Sequence, residues 1–476
     1  WQRQMCIRDS IYPEAPIAQI NIRFNLPEDW KVVVSWDQHD NFFRPREIES
    51  ITRGFVVVGE FKVVNLKINN VNLIIALPNR TLESHETIIN NTANTFNYLT
   101  SFLQYPHERF VVAFAPPPLG DGDADCCGQS IFISSLIHHY KMNDAYREQI
   151  EKYWGKYNEL HFTDWNVLPH EMFHILDGFS GGPYEEGLTQ YMGYKSSLAT
   201  GIWDTIDFYH FLTTYGAEGL KFYYTEIWNT KYNLPIISED LETAIRENPS
   251  DWRYTFVRAR KMAIVAYMLD KETQIVTNGD KSLNDIISYI NAKYRDPHRY
   301  VSPAEFLETA NLVTGHNFTD FFNKYIWGND WLPPIPVQDM LDYYISKAEE
   351  RLATAEPAEK EKLEAMVEEL KQRCSDTVEL IYEEEYESAF KELENAKKLF
   401  LRIMTPWPSE APSPTLMPTP TFTPIPSPMP KPMLTLSPLP HSYSDACIHR
   451  RRLRPLPDSY GYNHRCHSFL NDIEED

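Results

Sequence analysis

The sequence predicts an α+β protein whose strands come first, whose helices follow, and whose end is not globular. Three observations carry this: β-type runs between residues 17 and 77, helical spacing from Thr163 to about Leu332, and repeated Ser-Pro and Thr-Pro steps after Thr405. The runs AQINIRFNLP, WKVVVSW, FVVVGEFKVVNLKI and VNLIIALP alternate or stay apolar. Pro27, Asn69-Asn70 and Pro78 punctuate them, which predicts a β-rich N-terminal domain at 11–79. From about Glu83 to Gln104, Ile88, Ile89, Thr92, Phe96, Leu99 and Phe102 recur at helical spacing, and RFVVAFA and QSIFISS then read as strands. Apolar helical stretches such as KMAIVAYML, NDIISYI and FTDFFNKYIW complete a mixed domain at 80–334 with a mainly helical C-terminal half. Residues 335–404, rich in Glu, Lys, Leu and Ala and broken near Glu356-Pro357, predict a helical hairpin. The prolines of 405–440 favour an extended linker that cannot bury a core, and 441–476 has no sustained period and is expected to be a disordered tail. The opening WQRQMCIRDS, residues 1–10, resembles translated adapter sequence and is treated as an artefact outside the fold.

At 476 residues the chain exceeds what a single hydrophobic core organises, so more than one folded unit is expected. A formal net charge of -22 argues against a nucleic-acid binder, because phosphate contacts need a basic surface. No apolar run is long enough to span a membrane. The six cysteines show no CxxC spacing and leave the redox compartment open. The Pro/Thr/Ser-rich stretch fits an extracytoplasmic or cell-surface protein whose start, at Trp1 rather than Met, reads as incomplete.

The chemistry sits in LPHEMFHILDGFSGGPYEEGLTQYMGY. His170 and His174 are four positions apart, so on a helix both imidazoles emerge from one side, the geometry of a zinc site. Glu171, beside the first of them, can then take a proton from water activated by the metal. Asn166 is placed to cap this helix and Pro169 to stand in its first turn, while Gly178, Gly181 and Gly182 end it. A catalytic zinc needs a third protein ligand and an open position. Glu186, in the first turn of the next helix, is the candidate; Glu185 is the fallback and would point about 100° away. Gly187 would let that helix pack closely on the HEMFH helix.

HEMFH followed by EGLTQY resembles the HExxH and EGxxxY pair of gluzincin metallopeptidases. The segment SPAEFLETANLVTGHNFTDFFNKYIWGNDWLP, together with FNLPEDWKVVVSW and FVVVGEFKV, resembles glycyl aminopeptidases and their aminopeptidase N relatives, over about residues 17 to 334. The resemblance implies a thermolysin-like catalytic domain at 80–334. It also implies one zinc ion on His170, His174 and Glu186, and Glu171 as the water-activating base. The chain departs from these families in three places. The spacer to the third ligand is shorter than in aminopeptidase N relatives, DGDADCCGQSIFIS has no glutamate matching the one that holds a substrate amino end, and Ala259 stands where relatives carry a transition-state tyrosine. Tyr254, five residues earlier, is the candidate replacement, against the plainer alternative of a packed aromatic.

Lesser candidates are His138, His139 and His161, read as solvated, and Gln190, read as either a neighbour of a ligand or a surface residue. Asp121, Asp123 and Asp125 are read as an acidic loop rimming the cleft rather than a calcium site. The expected function is zinc-dependent hydrolysis of a peptide or protein substrate lying along an edge strand near Gln129 to Ser134, with aminopeptidase and endopeptidase action both open. The rival is a degenerate binding module on the same fold. The 335–404 helices could also support self-association.

Overall fold

The computed structural model describes residues 20–39, 42–45, 56–79, 84–114, 124–127, 130–133, 157–177, 182–214, 219–248, 251–294 and 299–405. The expected artefact at 1–10, the 406–440 part of the linker and the 441–476 tail lie outside them, as do Asp121, Asp123, His138 and His139.

Strands β1 (Lys31–Val33) and β4 (Val57–Gly59) form one antiparallel ribbon, and β2 (Asp37–His39) and β3 (Phe42–Arg44) another. Strands β5 (Phe61–Ile68), β6 (Val71–Pro78), β7 (Arg109–Phe114), β8 (Ala124–Cys127) and β9 (Ser130–Ile133) make a five-stranded sheet in the order β5-β6-β7-β9-β8. The β5–β6 hairpin turns at Asn69 and Asn70, whose φ of 48° and 68° suit a tight primed turn. Strands β6, β7 and β9 run parallel, and β8 returns antiparallel along β9.

Alternation along the central strands assigns the two faces. Ile74, Ala76, Val111 and Ala113 pack with Val33 and Val57 of the ribbon and with Phe61. From the other face, Phe110 meets Phe96 of helix α1 (His85–Thr100) at 5.1 Å between ring centroids. Ser84 caps α1 by accepting from the Thr87 backbone N–H at 3.0 Å. Because β6 is buried on both faces, its sequence reads as a continuous apolar run. The boundary expected at residue 79 therefore cuts a sheet: β5 and β6 belong with β7 to β9, and the ribbon shares a core with them.

The strand expected at QSIFISS is β9, an inner strand. Among the described residues the edge is β8, inside the segment read as an acidic loop. Ala-Asp-Cys-Cys lacks both alternation and β-branching, so only pairing with β9 makes it a strand.

The helical part comprises α2 (Tyr157–Leu176), α3 (Glu185–Ala199), α4 (Thr205–Thr213), α5 (Leu220–Phe222), α6 (Glu239–Glu247), α7 (Trp252–Phe256), α8 (Met262–Val276), α9 (Leu283–Tyr294), α10 (Pro303–Thr314) and α11 (Thr319–Tyr325). A π-turn at Tyr223–Ile227 continues α5, and a second at Val257–Lys261 joins α7 to α8. Helix α10 opens with a reciprocal Ser302/Glu305 capping box and closes on Gly315 at φ 72°.

The expected hairpin at 335–404 is three helices: α12 (Ile335–Ala353), α13 (Pro357–Tyr382) and α14 (Tyr386–Met404). The break at Pro357 was legible, but the second falls at Glu383–Glu385, where Glu384 takes φ 62° without a glycine or proline to signal it. These helices are docked. Tyr386 stacks on Tyr224 at 4.7 Å and 4°, Lys271 pairs with Asp339 at 3.2 Å, and the Tyr267 hydroxyl donates to Asp339. Among the described residues, no helix is long and apolar enough to cross a membrane.

Candidate metal centre

Helix α2 passes beneath the β8–β9 edge and against α1 and α3. It starts at Tyr157, well before Asn166, so Asn166 is not its cap and Pro169 lies inside it. An interior proline has no N–H for the carbonyl four residues back and is tolerated here because the surrounding apolar side chains hold the helix. Leu168, Met172, Phe173 and Leu176 are fully buried and fix its rotation. That rotation presents His170 and His174 together, their rings edge to face at 4.8 Å between centroids. His161 also falls on α2, with its side chain outside the described residues.

The chain re-enters at Gly182, whose φ of 60° and whose contact with the Tyr300 ring leave no room for a side chain. A short 3-10 turn leads into α3, which carries Glu185 and Glu186 in its first turn. Donor atoms of three residues then face each other. His170 Nε2 and His174 Nε2 are 3.2 Å apart, His170 Nε2 and Glu186 Oε1 3.3 Å, and His174 Nε2 and Glu186 Oε2 3.4 Å. Ligand atoms about 2.0–2.1 Å from one tetrahedral ion are separated by about 3.3 Å, so each of these approaches has the length that a zinc-like ion requires, with one carboxylate oxygen of Glu186 facing each histidine. Among the described residues, His170, His174 and Glu186 form the group that could hold a metal.

Electrostatics point the same way. Burial alone would depress the His174 imidazole, but the Glu185 and Glu186 carboxylates outweigh it and hold its pKa well above the ordinary histidine value. Burial would likewise raise the Glu186 carboxyl, but His170 and His174 overcome it and keep it well below the usual carboxylate range. Between these donors a positive charge is the stable occupant. The C-terminal end of α2 and the N-terminal end of α3 add helix dipoles of the matching sense on each ligand. Glu171 is buried, at 8% exposure, one residue from His170, while Glu186 leaves nearly half of its side chain in solvent, so the centre is open on one side.

Around the donors the structure departs from the sequence reading. Glu185 is not an alternative ligand: its Oε1 lies 3.4 Å from His174 Nδ1, behind the ring, and Thr189 Oγ1 approaches the same nitrogen at 3.4 Å. Gln190 is buried with α3, and the position expected of it beside a ligand is taken by Thr189. His170 Nδ1 is buried with no partner among the described residues. Gly187 does allow close packing, but against the α7–α8 segment rather than α2: a Cβ there would meet Met262 Cβ at 2.3 Å and the Ala259 carbonyl at 2.5 Å. Tyr254 of α7 is buried. Its ring packs edge-on against Tyr232 at 5.0 Å, the plainer of its two expected roles.

One anchor was not legible at all. Asp270 of α8, buried, accepts from Tyr191 at 2.5 Å, Lys195 at 2.7 Å and the Leu283 backbone N–H at 2.8 Å. It ties α3 to α8 and α9 and so fixes the helix that carries Glu186. No residue spacing announces it, since its partners are far away in sequence.

No protein-family model matches the chain, and no curated protein does. Solved structures do match. Among them is the crystal structure of an aminopeptidase N family protein from Idiomarina loihiensis, similar with a TM-score of 0.51 at 14% identity over 66% of this chain. The match spans 55% of that protein's length. At this identity the likeness is one of fold, and the chain has a peptidase-like fold of α+β class in which a His-His-Glu group is assembled.

Proposed function

We propose that this chain is a zinc-dependent peptidase, with one ion held by His170, His174 and Glu186 and with Glu171 as general base. The observation that carries the reading is the convergence of the two imidazole Nε2 atoms, 3.2 Å apart, with the Glu186 carboxylate, whose two oxygens lie 3.3 and 3.4 Å from them, beside a buried glutamate. When bound, such an ion supplies Lewis acidity, polarising a substrate carbonyl and acidifying nearby water. The protein's own part follows from position. Glu171 accepts a proton from the attacking water and returns it to the nitrogen of the leaving amine as the C–N bond breaks. Glu185 and Thr189 hold the His174 ring at Nδ1 so that Nε2 stays aimed at the centre. An extended peptide would add to the β8 edge, its backbone paired there and its scissile carbonyl over the centre. Aminopeptidase and endopeptidase action are both compatible with this arrangement. An extracytoplasmic setting and self-association through α12 to α14 belong to the same proposal.

The test is cleavage of a peptide library by the purified chain with and without chelator, followed by product mapping and metal analysis. Chelator-sensitive cleavage that returns with Zn2+ supports the reading. Stoichiometric zinc without cleavage would favour the second reading, a binding module on a peptidase-like fold. Its motivation is Ala259, whose methyl offers no hydrogen bond to a transition state, together with the packing of Tyr254 on Tyr232.

A further inference from the structure

Away from the metal centre, the turn at 228–233 and the loop at 324–331 line an open cavity of about 540 Å³, a size typical of small-molecule sites. Its walls bring Trp228, Tyr325 and Trp331 together with Asn229, Asn233 and Asn329. None of them lies on α2 or α3.

The cavity is held from several sides. Asn233 Nδ2 donates to the Asn329 carbonyl at 3.0 Å, and Asn329 Nδ2 donates to the Asn233 carbonyl at 2.9 Å. Each amide thereby spends one N–H and keeps a second. Behind them Lys261, fully buried, donates to Asn233 Oδ1 and to the Leu234 carbonyl, both at 3.1 Å. Both π-turns converge here. The first ends with the Trp228 N–H donating to the Tyr223 carbonyl at 2.7 Å, and the second ends at Lys261. Such turns recur at functional sites. Asn229 is held in the left-handed region at φ 59°.

The lining chooses the class of occupant. Lys324 and Asp330 contribute one charge of each sign, so no excess charge selects an ion. Aromatic faces and neutral amide groups remain. A pyranose presents the complement, an apolar C–H face for a ring and hydroxyls for amides. We propose that this cavity is a carbohydrate site, binding a neutral sugar unit independently of the metal centre.

The experiment is saturation-transfer NMR on the full chain, with methyl β-glucopyranoside, methyl β-galactopyranoside, methyl α-mannopyranoside and N-acetylglucosamine as probes. Transfer to the ring protons of at least one of them is expected, with a Kd on the order of 1 mM. Trp228→Ala removes an aromatic ring from the lining, and Asn229→Gly removes the amide at a φ that glycine tolerates. Each should weaken binding at least tenfold, with thermal stability checked alongside, while Glu171→Gln leaves it unchanged. No transfer from any probe at about 50 mM would overturn the proposal, and so would equal transfer in wild type and both cavity variants.

Discussion

Glu185 and Glu186 are neighbours of the same chemistry, yet one residue of helix rotation places them on different atoms of the same histidine. Glu186 joins the donor group at Nε2 and Glu185 supports Nδ1. Glu185→Gln should therefore weaken metal affinity about 10- to 100-fold without removing a ligand. Competition against a chelating dye measures this, and affinity equal to wild type would remove Glu185 from the supporting role. Glu171→Gln should bind metal as wild type does and lose about two to four orders of magnitude in cleavage rate. Loss of metal instead would mean that Glu171 is a ligand. At this scale the sequence was most informative where one helical turn decides the geometry, as for His170 and His174. It was silent where a contact crosses between helices, as for Thr189 and Asp270, and it offered Tyr254 only because a tyrosine was sought near that helix.

Among the elements, α3 and the α7–α8 segment lie so close that Gly187 has no space for a methyl group. The blocking atoms include the Ala259 carbonyl, which cannot rotate away. Gly187→Ala should cost about 1–3 kcal/mol and displace the first turn of α3, lowering both Tm and metal affinity. A variant of unchanged affinity would show that the turn absorbs the strain. The π-turn in the same segment delivers Lys261 to a buried position where desolvation lowers its pKa from 10.5 to about 7, against the opposing charge of Asp330 and beneath the Tyr223 ring. Between those values the unfolded chain binds a proton that the folded chain has released, so stability rises with pH. The gain from this group is about 2 kcal/mol between pH 7 and pH 9. Urea unfolding at both pH values should show it in wild type and not in Lys261→Met. Equal slopes would rule out a depressed lysine. Helix α2 shows how element boundaries escape sequence reading. Proline and asparagine suggested a start near Asn166, but the helix begins at Tyr157 and runs through Pro169.

For the whole molecule, the α12–α14 unit is part of the packed structure and not a detachable arm. Tyr386 and Phe390 cover Tyr224, and Met340 meets Thr213 of α4. A chain ending at residue 334 should lose several degrees of Tm or aggregate, compared with the full chain. Equal melting of both would show the helices to be dispensable. The order of strands and helices was legible because patterning reports burial directly. Domain boundaries were not, since the ribbon and the sheet share one core that spans the expected break at 79. The donor group has a further consequence, in the order of assembly. All three donors fall between residues 170 and 186, on two helices joined by a short connection. Little chain entropy is lost in bringing them together, whereas the parallel pairing of β6 with β7 and of β7 with β9 must close longer loops. An ion present during refolding can therefore clasp α2 to α3 before the sheet forms, and should act on the folding rate as well as on the final stability.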